Sequence, residues 1–142
     1  MNDQIICRSI AAYEEVSIMP QQNGEPRMIL QQQIINFLVP FLPTQLSFSV
    51  VAAVSHFSLE KNEEVEIIIF DPNGNVIQKM PWILETQGAL LSNAFPPTSV
   101  FIAQMRNLPT YFEGSYNIEI HHNGKKIGGY FYDIYRQGGE SQ

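Results

Sequence analysis

The chain is short of cysteine, of charge and of long apolar runs, and each shortage removes a class of protein. Cys7 is the one cysteine, so no internal disulfide can form, and the expected setting is a reducing, cytoplasmic one. Charged residues make up 15% of the chain, against about 25% in ordinary soluble domains. A surface so poor in charge is completed with amides, hydroxyls and aromatics, which favours a contact face. Of the eight basic residues only Lys125 and Lys126 are adjacent, and the net charge is −6. Phosphate binding needs clustered Lys and Arg, so nucleic acid is not an expected partner. No apolar run reaches the roughly 18 residues of a membrane span. The richest stretch, Ile34 to Val54, is broken by Pro40 and Pro43 and carries Asn36 and Gln45. The opening Met1-Asn2-Asp3-Gln4 lacks the basic start and apolar core of a signal peptide. A membrane is therefore not an expected partner either.

What is present suits an ordinary globular protein. With 142 residues and 44% apolar content, one domain over residues 1–136 is expected, with 137–142 as a disordered tail. A domain of this size buries about 70% of its unfolded surface, which is enough to fold without cross-links. Glu60, Glu63, Glu64 and Glu66 form the one acidic cluster, and Lys61 interrupts it. That run reads as a solvated strand entrance rather than a mimic of DNA.

No period of 20–50 residues recurs, so repeat architectures are excluded. Alternation of apolar and polar residues predicts strands instead. Ile5 to Ile10 and Val16 to Met19 read as two short extended pieces separated by Tyr13-Glu14-Glu15, and Asn23-Gly24 reads as a turn. Residues 28–38 fit either a strand or a helix, because Leu30, Ile34, Phe37 and Leu38 are helically spaced. A strand fits its neighbours better, and Pro26 and Pro40 box the stretch in. Pro40-Phe41-Leu42-Pro43 is a rigid corner. In Leu46 to Val54, Leu46, Phe48, Val50, Ala52 and Val54 share one face. Glu64 to Phe70 is apolar on both faces, which suggests a strand covered on both sides. Asp71-Pro72-Asn73-Gly74 predicts a type I turn with glycine in the following bulge. Val76 to Met80 returns from it. Gln87 to Asn93 is expected to form at most one short helix before Phe95-Pro96-Pro97 ends it. Ser99 to Arg106 points Val100 and Ile102 one way and Phe101, Ala103 and Met105 the other.

The last two strands, Glu113 to His121 and Lys126 to Tyr135, flank His122-Asn123-Gly124-Lys125. Asn-Gly suits a type I′ turn, which needs φ > 0 at both central positions. Gly114-Ser115-Tyr116 opens this hairpin in the manner of a tyrosine corner. Its hydroxyl is expected to bond to backbone near Leu108 to Tyr111. Antibody-type domains place a cysteine two residues after that tyrosine, and here the position holds Ile118. The expected fold is therefore all-β: an antiparallel, immunoglobulin-like two-sheet sandwich without the inter-sheet disulfide.

Several pieces follow one another in a recognisable order. They are Asn23-Gly24 through Leu30, Phe37 to Pro43, Leu46 to Val54, Val65 to Gly74, and the Gly114–Tyr116 and Asn123–Lys125 hairpin. In this order the chain resembles a family of small bacterial and phage proteins of unknown function, each a single β-sandwich. The resemblance lies in hydrophobic pattern and turns, and it implies no catalytic residue.

Candidate chemistry is thin. His121 and His122 are adjacent on a strand and point to opposite faces, and no motif brings His56 to either. Asp71, Asn73 and Asn75 match the first positions of a calcium loop, but Val76 and Trp82 stand where it needs glycine and glutamate. Cys7 lies in an apolar strand with no base in view. Gly128-Gly129 marks a bulge or the close approach of a large neighbour. No catalytic role, metal or cofactor is expected.

The aromatic pattern is stronger. If Asn123-Gly124 is a simple two-residue loop, Tyr116 pairs with Phe131 and Ile118 with Gly129 on the core face. Tyr130, Tyr132 and Ile134 then join Asn117 and Glu119 on the opposite face, a mixture typical of contact surfaces. The expected function is a non-catalytic binding module with a protein partner, either a second copy in a homodimer or a host protein. The alternative is an inhibitor encoded by a phage or mobile element and directed at one host protein.

Overall fold

The computed structural model describes residues 5–20, 26–58, 60, 63–84, 89–92 and 95–138. Among these residues ten strands form two five-stranded sheets. They are β1 (Ile6–Pro20), β2 (Pro26–Gln33), β3 (Asn36–Val39), β4 (Thr44–Ser55) and β5 (Glu63–Phe70), then β6 (Val76–Leu84), β7 (Ala89–Ser92), β8 (Phe95–Thr110), β9 (Gly114–His122) and β10 (Lys125–Arg136). One sheet runs β2-β1-β4-β8-β7 and the other β3-β10-β9-β5-β6. In immunoglobulin terms β1, β4, β8 and β7 are A, B, E and D, while β5, β9 and β10 are C, F and G with β6 as C′. The fold is an immunoglobulin-like β-sandwich. All pairings are antiparallel except β3 against β10, which is parallel.

Alternation explains the core. Phe48, Val50, Ala52 and Val54 of β4 face Val65, Ile67 and Ile69 of β5 and Ile118 and Ile120 of β9 within one apolar cluster. Trp82 of β6 stacks on Phe101 of β8 at 4.8 Å between ring centroids, which ties the sheets together. Tyr116 is buried, and its hydroxyl donates to the Phe112 carbonyl at 2.8 Å and accepts from the Phe112 amide at 3.3 Å. The tyrosine corner is present, with its backbone partner just past the expected segment.

The turns follow their sequence signals. Asn123 and Gly124 have φ of 55° and 78°. Gly74 has φ of 84°, and Asp71 Oδ1 accepts the amides of Asn73 and Asn75 at 2.9 Å each. The aspartate thus serves its own turn.

Three expectations need correction, and one open choice is resolved. Residues 89–92 are not helical but form β7, paired with β8, and no helix occurs among the described residues. The strand reading of 28–38 holds, as two strands: 28–33 lie in β2 and 36–38 in β3. The two short N-terminal pieces are one continuous strand. β1 pairs with β4 from Ile6 to Tyr13, then with β2 from Tyr13 to Pro20. Tyr13 is where the strand changes neighbours, so Glu14-Glu15 continues the strand as part of a two-stranded arm. Finally, β5 is covered by the opposite sheet on one side alone. Its outward Ile68 is buried by lying in register between Lys79 and Glu119. The Asn23-Gly24 turn and residues 139–142 of the expected tail lie outside the described residues. Gln137, also assigned to the tail, donates its amide to the Val39 carbonyl at 2.7 Å.

Candidate interaction face

The outer face of the β3-β10-β9-β5-β6 sheet is decided by one extra residue. Lys125 pairs with His122 and Lys126 with His121, as a two-residue turn requires. The register then shifts, and Gly128 pairs with Ile120. Ile127 is the inserted residue of a β-bulge. Because side chains alternate with period two, one insertion turns every later side chain of β10 to the other face.

The contact face expected from the simple register is therefore reversed on β10. Tyr132 and Ile134 are 0% exposed and belong to the core. Tyr132 lies opposite Tyr116 rather than Ser115, and its ring contacts Tyr116, Phe37 and Phe48. Tyr130 also turns inward. Its hydroxyl donates to the Ile34 carbonyl and accepts from Gln33 Nε2, tying β10 to the β2–β3 connection. Asn117 and Glu119 do sit on the outer face, as expected. Glu119 is held by its neighbours: it accepts from Asn117 Nδ2, its Oε1 lies 2.8 Å from His121 Nε2, and Lys126 Nζ approaches at 3.6 Å.

The residues that the simple register sent inward are the ones displayed. Phe131 is 61% exposed and Tyr135 51%, with Leu38 of β3 beside Tyr135 in register and 64% exposed. Between the two aromatic rings Asp133 accepts from Ser115 Oγ and from the Tyr135 hydroxyl. The face thus carries three large apolar side chains interleaved with a fixed polar network. The sequence holds part of the signal: Gly128-Gly129 leaves a bulge or a close approach open, and only a bulge counted into the register selects Phe131 and Tyr135. A Cβ on Gly128 would lie 2.5 Å from Cys7 Sγ, so β1 closes on β10 over that glycine. Burial raises the pKa of the Cys7 thiol, opposed in part by a backbone hydrogen bond at Ser9.

A polar cleft of about 420 Å³ lies where β5 meets the hairpin tip. Glu63, Glu64, Glu66, His121 and His122 line it. Although the two imidazoles leave opposite sides of β9, each has its own carboxylate, with His122 Nε2 at 3.2 Å from Glu63 Oε1. Glu63 also accepts the Ser58 amide at 2.9 Å. Among the described residues no three His, Cys, Asp or Glu are placed to share a metal ion. His56 is elsewhere, paired with its neighbour Ser55 at 2.8 Å. Among the described residues no helix is long and apolar enough to cross a membrane.

No family model matches the chain, and no curated protein does. Among solved structures it is similar to an immunoglobulin-like protein of Pseudomonas aeruginosa, with 14% identity and a TM-score of 0.43 over 92% of this chain and 96% of that one. It is also similar to part of a Pseudomonas fluorescens alkylpurine DNA glycosylase bound to DNA containing an abasic site analogue. There the identity is 10% and the TM-score 0.41, over 89% of this chain and 30% of that one. Likenesses this distant carry no argument about function.

Proposed function

We propose that the protein is a non-catalytic binding module that engages a protein partner through the outer face of β3, β10 and β9. The observation that carries this reading is the exposed set Leu38, Tyr135 and Phe131 around the hydrogen-bonded Asp133. Aromatic side chains beside satisfied polar groups supply area and direction at little cost in ordering. In this reading the protein acts in the cytoplasm without a cofactor and belongs with small bacterial and phage β-sandwich proteins. Its partner is a host protein when the gene is carried by a phage or mobile element.

The test compares immobilised wild type with Phe131→Glu as baits in a lysate of the source cells. A protein retained in stoichiometric amount by wild type, and lost from Phe131→Glu, supports the reading. Equal recovery on both baits, with Phe131→Glu folded by circular dichroism, moves the binding surface elsewhere.

A further inference from the structure

The outer face of the other sheet has a different chemistry. β1, β4 and β8 lie side by side, and their register sets outward side chains in rows across the sheet, Ala11–Val51–Ile102 and Ser9–Ala53–Val100. These rows carry no charge. In the opposite sheet, by contrast, β5, β9 and β10 bring Glu64, Glu66, Glu119 and Asp133 to the outer face. In a chain of net charge −6, the uncharged rows let two copies meet without carboxylate facing carboxylate. Val100 is exposed and Ile102 half-buried, so a cover over the rows would remove apolar surface from water.

Size sets the strength of such a contact. At about 3.4 Å per residue and about 4.8 Å between strands, the three strands from Ile6 to Tyr13 of β1 project about 400 Å². The β4–β8 pair runs on to Thr44 and Thr110, but that extension carries Arg106 and borders Glu14, so it is left out of the contact. Standard interfaces bury about 800 Å² per partner, and weaker, transient ones less. We propose that two copies of this chain pack sheet on sheet through the outer face of β1, β4 and β8, forming a concentration-dependent dimer. Packing back to back leaves Phe131 and Tyr135 of each copy facing outward, so the dimer presents two partner faces at once.

Sedimentation over about 1 μM to 1 mM tests this, the range in which an interface of this size dissociates. Wild type should pass from monomer to dimer, with no loss of dimer in about 0.5 M salt because no ion pair holds it. Val100→Glu, at an exposed position, should weaken the dimer at least about tenfold by placing an uncompensated charge in the contact. Ser9→Glu should do the same, and either variant serves if the other fails to fold by circular dichroism. Phe131→Glu should leave the dimer intact, which separates this proposal from the partner-binding one. A wild type monomeric throughout, a dimer untouched by Val100→Glu and Ser9→Glu, or one broken by Phe131→Glu each overturns it.

Discussion

Tyr116 and Tyr132 stack in the core with ring centroids 5.2 Å apart, yet their hydroxyls differ in one respect. Tyr116 is bonded to Phe112 backbone, while the Tyr132 hydroxyl is buried with no partner among the described residues. Tyr116→Phe is therefore expected to cost about 0.5–1.5 kcal/mol, one net hydrogen bond. Tyr132→Phe deletes an unsatisfied group and should be neutral or stabilising by up to about 2 kcal/mol. Denaturant midpoints of the two variants should move in opposite directions or differ clearly in size; equal losses would contradict the assignment. Burial, and secondarily the neighbouring Tyr116, raises the pKa of the Tyr132 phenol. The unfolded chain then gives up this proton first, so stability is unaffected below about pH 10 and falls as pH rises beyond it. Tyr132→Phe should soften that alkaline loss. Gly128 is constrained by space rather than by φ. Gly128→Ala should cost about 1–3 kcal/mol through overpacking against Cys7. Cys7→Ala should restore part of this, because the Cys7 Cβ itself would lie 2.9 Å from the new methyl.

At the scale of elements, the last hairpin joins a turn that demands positive φ to a bulge that reverses what the turn implies. Gly124 has φ of 78° with open space around its Cβ position, so its constraint is conformational. Gly124→Val should destabilise by about 1–3 kcal/mol, the cost of a side chain in a sparsely populated backbone region; an unchanged midpoint would reject the turn assignment. The arm formed by β2 and the second half of β1 is the opposite kind of element. Val16 faces Leu30 and Ile18 faces Met28, and Ile18, Met28 and Leu30 are exposed. Among the described residues neither strand of the arm has another paired strand beyond Tyr13. Two-stranded ribbons are marginal in water. Amides of residues 15–19 should therefore exchange with solvent well before those of residues 50–54, which lie between two paired strands. Equal protection measured by hydrogen exchange would show that the arm is covered.

At the scale of the whole molecule, Trp82 is the useful reporter. It is the one tryptophan in the chain, and it bridges the sheets through Phe101. Separating the sheets must change its fluorescence, while far-UV circular dichroism reports the strands themselves. If the sandwich is one cooperative unit, both signals should give the same denaturant midpoint. A fluorescence transition that precedes the dichroism transition would show that the sheets part before they unravel.

Local chemistry was enough to predict the fold class, the apolar face of β4, the two turns at Asp71 and Asn123, and the buried tyrosine at position 116. Each depends on neighbours within a few residues: alternation with period two, a proline or glycine with its preferred φ, a tyrosine two residues after Gly114. Tertiary structure decided the remainder. β1 reads as two pieces because Glu14-Glu15 interrupts its alternation, yet it is one strand because it changes partners at Tyr13. Residues 89–92 are a strand because β8 offers them an edge. The candidate face changed from Tyr130, Tyr132 and Ile134 to Phe131 and Tyr135 because Ile127 bulges where Gly128 must admit Cys7, a residue 121 positions earlier in the chain. Pairing register sums every insertion between two strands, so one contact between distant residues decides which side chains reach water.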